Sequence, residues 1–173
     1  MKLTTRDLSF AALMAALMCV LSPLAIPIGP VSLTLQTMVV ALTGYVLGAK
    51  KGILSVVVYL LIGACGLPVF SGFRGGVEVL TGATGGYLIG FLFMAALCGL
   101  GKKRALWQGI LAGLGGLLVV YIIGTIQLKL VSGMTFVQAI MAGVVPFVVK
   151  DAASVACAAL LARALAKRVK LLA

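Results

Sequence analysis

The chain contains no histidine and only three acidic residues, and at 10% its charged fraction is well under the ~25% of an ordinary soluble domain. Without histidine it lacks the side chain that titrates near neutral pH and the commonest protein metal ligand. With Asp7, Glu78 and Asp151 as the whole acidic complement, a general acid–base pair is hard to assemble, so an enzyme is the least favoured class. The four cysteines, Cys19, Cys65, Cys98 and Cys157, are widely separated and include no C-x-x-C pair, which reads as small apolar packing residues without metal or redox chemistry. None of the glycine-rich stretches ends in Gly-Lys-Ser/Thr, so the glycines do not argue for a nucleotide.

What the sequence has instead is apolar length. Hydrophobic residues make up 63% of its 173 positions, which excludes a water-soluble globule. At ~20 residues per helical span there is room for about six spans, with loops and tails but no ATP-binding domain among these residues. Six apolar runs are expected to span, over residues 8–28, 33–48, 52–66, 85–100, 106–128 and 146–166. The first superficially resembles a secretory signal, yet it is too long for one and five more follow. The second and third are short for a ~30 Å hydrocarbon core, which leaves re-entrant segments open there.

Fourteen Lys/Arg give a net charge of +11, and they fall in clusters between the runs, unlike the polar basic surface of a nucleic-acid binder. Lys2 and Arg6 precede the first run, Lys50 and Lys51 separate the second and third, Lys102, Lys103 and Arg104 separate the fourth and fifth, and Arg163, Lys167, Arg168 and Lys170 close the chain. The alternate connections hold only Arg74, Glu78 and Lys129. This alternation predicts an all-α integral membrane protein of six transmembrane helices, with both termini cytoplasmic and a glycine-rich outer loop between helices 3 and 4. No internal repeat or linker divides it, so residues 1–173 read as one transmembrane domain.

Three places could carry function. Asp151 lies five residues beyond Pro146, or ~7.5 Å along a helix whose first turn the proline suits. A carboxylate at that depth is a substrate or ion site, or else an ion pair between helices or with the adjacent Lys150. The loop from Gly66 to Tyr87 combines Arg74, Glu78, aromatic rings and many backbone donors; Arg74 could bind a ligand carboxylate or pair with Glu78. Thr34 and Gln36 fall at the outer start of the second span, where they could read a polar small molecule, or cap and bridge helices. In the first span, Ala11/Ala15 and Ala12/Ala16 form small-xxx-small pairs that permit close approach of another helix.

The ordered set Leu33-Thr-Leu-Gln-Thr37, Gly66-Leu-Pro-Val-Phe70, Gly75-Gly76, Thr84-Gly-Gly-Tyr-Leu88 and Pro146-Phe147 ahead of Asp151 resembles the BioY family, the biotin-specific substrate-binding (S) component of energy-coupling factor (ECF) transporters. The resemblance covers most of the chain. It implies a multi-pass protein in the cytoplasmic membrane of a prokaryote that captures biotin from outside with high affinity. Its partners would be a transmembrane coupling subunit and two ATPases, which use the ATP; the chain itself would need no cofactor. Helix 1 would meet the coupling subunit through Ala11, Ala12, Ala15 and Ala16.

For biotin, Asp151 would accept from the ureido N–H groups, with Thr34, Gln36 and loop backbone completing the polar end. Phe73, Tyr87 and Tyr121 would contact the apolar part, and Arg74 or Lys150 the carboxylate. Gly75, Gly76, Glu78, Thr84, Gly85 and Gly86 join the substrate-binding set. The family often has a glycine before this aspartate and a lysine three residues after it, where this chain has Lys150 and Ser154, and a proline where this chain has Ser32. The other readings are an S component for another vitamin or a biotin precursor, and an independent ion-coupled carrier or channel using Asp151.

Overall fold

The structure, a computed structural model, describes residues 4–168; the sequence-flagged cations Lys2 and Lys170 lie outside the described residues. The chain opens with α1 (Thr5–Leu21), which starts at a reciprocal cap: the Asp7 amide donates to Thr4 Oγ1 at 3.3 Å and the Thr4 amide to Asp7 Oδ2 at 3.2 Å. Pro23 follows its end, where the proline ring cannot continue the helix.

Two short strands come next, β1 (Ala25–Pro27) and β2 (Ser32–Thr34), paired antiparallel with Ala25 opposite Thr34. The expected first run, 8–28, is therefore helical only to Leu21, and the second, 33–48, begins as strand. Pro23, Pro27 and Pro30 in this stretch explain both departures, since each lacks the N–H a helix needs.

α2 (Gln36–Leu47) and α3 (Ala49–Ala64) are joined through Gly48 alone, whose φ of +84° suits glycine. Lys50 and Lys51 consequently belong to the first turn of α3, which begins before the expected residue 52. The glycine-rich connection that follows holds a short helix, α4 (Val77–Thr81), and is tied down by backbone bonds. Gly72 N donates to Pro23 O at 3.1 Å and Gly76 N to Gly63 O at 2.7 Å. The Gln127 side chain donates to Leu80 O and Gly82 O, both at 2.8 Å.

α5 (Gly85–Leu100) and α6 (Leu106–Ser132) form the most extensive helix pair, and glycines let their backbones touch. A Cβ on Gly90 would lie 2.8 Å from Val120 Cα, and one on Gly116 2.9 Å from Met94 Cα. Such small-residue contacts are the usual way apolar helices pack closely. α6 outruns its expected end at 128 and carries Lys129 in its last turn, where a cation suits the helix dipole.

The broken stretch from Phe136 proves to be α7 (Phe136–Gly143), capped by Thr135, and then α8 (Val148–Arg168) at a 49° bend. Pro146 sits in that break, two residues short of α8 and not in its first turn. Its missing N–H and ring are the reason for the bend.

Among the described residues the architecture is thus eight helices and a two-stranded hairpin. α2 is its centre, buried on almost every side and touching α1, α3, α5 and α8. The outward surfaces are apolar, with Leu13, Val20, Leu61, Leu118, Ile122 and Leu160 all exposed. By length and composition alone, α6 can cross a membrane, as can α7 and α8 if taken as one bent span. All four cysteines are free thiols; Cys98 is a buried packing residue as expected, but Cys65 and Cys157 are exposed on the apolar exterior.

Candidate functional site

At one end of the bundle the start of α2, the start of α5, the later turns of α6 and the first turn of α8 surround an open cavity of about 640 Å³. β2 and the 66–84 connection close it in. The break at Pro146 sets the entry of α8, and Asp151 falls in that helix's first turn, where the dipole favours a carboxylate. Asp151 is only 5% exposed.

The two oxygens of this carboxylate differ. Oδ2 accepts a hydrogen bond from the Tyr121 hydroxyl at 2.8 Å. Oδ1 is ion-paired with the Lys150 ammonium, which also donates to Thr34 O at 2.8 Å. That pairing balances the charge without an aligned hydrogen bond, so among the described residues Oδ1 is buried with no hydrogen-bond partner. Buried polar atoms are rarely left so. The local pairing with Lys150 and the bridge between helices are both present, in one network.

Across the cavity, Tyr59 is a hub. Its hydroxyl accepts from Gln36 Nε2 at 2.8 Å and donates to Val69 O at 3.2 Å, and its ring meets Phe70 edge-on at 5.6 Å. Gln36 therefore does bridge helices, and the bond fixes its amide so that the side chain lines the cavity with its carbonyl uncommitted to Tyr59. Thr34 Oγ1 accepts from the Gln36 backbone N–H at 3.3 Å, a local turn bond ahead of α2. Phe70 is buried because Gly63 has no Cβ to strike its ring. Tyr87 occupies space left by Gly124 and Gly143, and its hydroxyl donates to Gly143 O at 3.2 Å.

Of the residues singled out from sequence, Thr34, Gln36, Arg74, Thr84, Tyr87, Tyr121, Lys150 and Asp151 all line this one cavity. Phe73, Gly75, Gly76, Glu78, Gly85 and Gly86 do not. Phe73 is 65% exposed, at a turn with φ +56°, and it is Phe70 whose ring lines the cavity. Gly85 and Gly86 are spent on packing: a Cβ on Gly86 would lie 2.6 Å from Ile123 O, and one on Gly85 would run into Leu80 O. Gly75 is pressed on the Leu67 carbonyl, and Gly76 is the positive-φ residue before α4. Glu78, with Gly75, borders a separate shallow cleft on the far side of Arg74 and Thr84. No ion pair joins Arg74 to Glu78 among the described residues; Arg74 Nε donates to Ser71 O at 3.3 Å and the guanidinium is otherwise available to the cavity.

The cavity also takes in Val31, Ser32, Thr37, Ser71, Val79, Leu88, Phe91, Val120, Gly143 and Phe147. Phe70 and Phe147 stand in the family-like motifs, but the apolar members lie in apolar runs that do not disclose which face turns inward. The four alanines of α1 divide in the same way. Ala11 and Ala15 are buried inside the bundle, where α1 meets α3 and α2, and Ala12 and Ala16 are exposed beside Leu8 and Val20.

Comparison with known proteins agrees with this geometry. The BioY family model matches residues 1–171. A probable biotin transporter BioY of Pyrococcus horikoshii is 42% identical, with the alignment covering 92% of this chain and 96% of the relative. The biotin transporter BioY of Thermotoga maritima is 43% identical over 94% of this chain and 96% of the relative. Among solved structures, the S-component for biotin from an ECF-type ABC transporter superposes with a TM-score of 0.86 at 29% identity, over 94% of this chain and 91% of that one.

Proposed function

The chain belongs to the BioY family, and from that membership and the cavity together we infer that it is the biotin-binding S subunit of an ECF-type vitamin importer. The observation that carries the chemistry is the buried Asp151 carboxylate, held by Tyr121 and Lys150 with Oδ1 lacking a hydrogen bond. Biotin brings two ureido N–H donors, a ureido carbonyl, an apolar sulfur-containing ring and a valerate carboxylate. Oδ1 accepts from the ureido N–H groups, and the Gln36 amide and Thr34 complete that end. Phe70, Tyr87, Phe91 and Val120 enclose the apolar ring. Lys150 is committed to Asp151 and Thr34, so Arg74 takes the valerate.

The chain crosses a prokaryotic cytoplasmic membrane six times, with α7 and α8 together forming the last, bent crossing. Supporting this are the apolar outward faces and the gathering of Lys102, Lys103 and Arg163 at the end opposite Asp151, which by the positive-inside rule is cytoplasmic along with both termini. A transmembrane coupling subunit and two ATPases supply the energy. Ala12 and Ala16, being exposed, contact the coupling subunit; Ala11 and Ala15 hold α1 to its own bundle.

The test is equilibrium binding of radiolabelled biotin to the purified chain in detergent, with dethiobiotin, riboflavin and thiamine as competitors. We expect saturable binding selective for biotin over riboflavin and thiamine, weakened on the order of 100-fold by Asp151→Asn, because a buried charged acceptor is lost. Absence of saturable binding by folded protein would overturn the assignment. Affinity within about twofold in the variant would overturn the role of Asp151.

A further inference from the structure

A second cavity, of about 680 Å³, lies at the opposite end of the bundle, between the last turns of α2 and α8, the first turns of α6 and the α5–α6 turn. Lys102, Lys103 and Arg163 border it, and Val46, Leu106 and Ala162 are among its apolar walls.

Among the described residues no acidic side chain pairs with these cations. Of the acidic side chains, Asp7 pairs with Lys51, Asp151 with Lys150, and Glu78 belongs to α4 at the far end. Arg163 Nη2 donates to Arg104 O at 2.8 Å, which pins the guanidinium beside the turn but adds no negative charge. Burial, with the neighbouring Lys51 and Lys103 cations, pushes the Lys102 ammonium below the usual lysine range. Like charges held this close repel, and an anion among them relieves the repulsion. The apolar walls narrow the choice: a hydrated inorganic anion gains nothing from Val46, Leu106 and Ala162, whereas an acyl chain does.

We propose that this cavity binds the phosphate headgroup of an anionic phospholipid, with Lys102, Lys103 and Arg163 on the phosphate and the first acyl carbons against Val46, Leu106 and Ala162. The proposal rests on the membrane reading above, which puts this end in the cytoplasmic leaflet, where basic recesses between helices meet anionic lipid.

The experiment titrates the full chain, purified in an uncharged detergent, with phosphatidylglycerol or phosphatidylcholine, counts bound lipid by native mass spectrometry, and measures biotin binding on the same preparation. We expect phosphatidylglycerol to bind at least about tenfold more tightly than phosphatidylcholine. That preference should vanish in the Lys102→Gln/Lys103→Gln/Arg163→Gln variant and survive in Lys102→Arg/Lys103→Arg/Arg163→Lys, with biotin still bound by both. Should the triple glutamine variant fail to bind biotin, Lys103→Gln alone, at an exposed residue, is read for a loss of about fivefold. A full lipid preference in the triple glutamine variant, or in Lys103→Gln where that is the glutamine variant that still binds biotin, overturns the proposal. Displacement of the lipid by ~10 mM inorganic phosphate also overturns it, by showing an aqueous anion site. Lipid preference without biotin binding in the wild-type chain would leave this site standing and remove the functional reading instead.

Discussion

The two cavities share α2, α6 and α8, but their charges are handled in opposite ways. Around Asp151 the carboxylate and the Lys150 ammonium pair with each other, and Asp151 Oδ1 and Ser71 Oγ are left buried without a hydrogen bond. At the other end three cations line one cavity, and among the described residues no carboxylate joins them. The first arrangement discriminates by the direction of lone pairs and donors, because misaligned groups stay buried and unsatisfied. The second responds to charge and tolerates many shapes. With both proposals taken together, one molecule would hold a recognition site at one end and an electrostatic one at the other, and a change at either end should be felt mainly there.

The comparison can be broken in graded steps. The largest expected effect of the side-chain changes that keep Asp151 is that of Arg74→Gln. It should weaken biotin by roughly fivefold to tenfold and leave biotin amide within about twofold, because only the ligand carboxylate is affected. Equal loss for both ligands in a binding titration would return the carboxylate to Lys150. Tyr121→Phe comes next. It removes the donor to Asp151 Oδ2 and should cost roughly threefold to fivefold for biotin and its amide alike. An unchanged affinity would mean that Tyr121 serves packing alone.

The smallest effect belongs to the basic end, at the cation Lys51 that Asp7 compensates. Asp7 accepts from Lys51, and this bond holds the Asp7 carboxyl below the usual carboxylate range. A carboxyl lowered by folding stabilises the protein fully above its unfolded pKa of ~3.9 and loses that contribution as pH falls through its lower, folded value. Asp7→Asn should therefore keep biotin affinity within about twofold and flatten the acid side of the thermal-midpoint profile in detergent. Parallel acid limbs for variant and wild type would show the pair contributes nothing measurable.

How much of this was legible beforehand varies by residue. Asp151 stood out because a lone acid in an apolar run has few bland explanations, and the structure puts it on the cavity with Tyr121, Lys150, Gln36 and Thr34. The sequence points to Phe73 and passes over Phe70, since both stand in one loop and only the hollow at Gly63 and the turn at Phe73 decide which ring goes in. Gly85 and Gly86 look like ligand-cradling glycines in the chain, and it takes the neighbouring Ile123 and Leu80 carbonyls to reveal them as packing residues. The alanine pairs of α1 differ by one position, about 100° around a helix, which is enough to bury Ala11 and Ala15 and expose Ala12 and Ala16.

The sequence by itself determined an apolar, helical chain with cations in alternate connections, and it marked one buried acid. These follow from composition and order along the chain, which no folding step can change. Only the tertiary structure decided which oxygen of Asp151 stays unbonded, which phenylalanine enters the cavity, and that Lys102, Lys103 and Arg163 meet around a second one. Those outcomes depend on how each helix is rotated and where it bends, and close packing at glycines and the break at Pro146 set that only when all the helices come together.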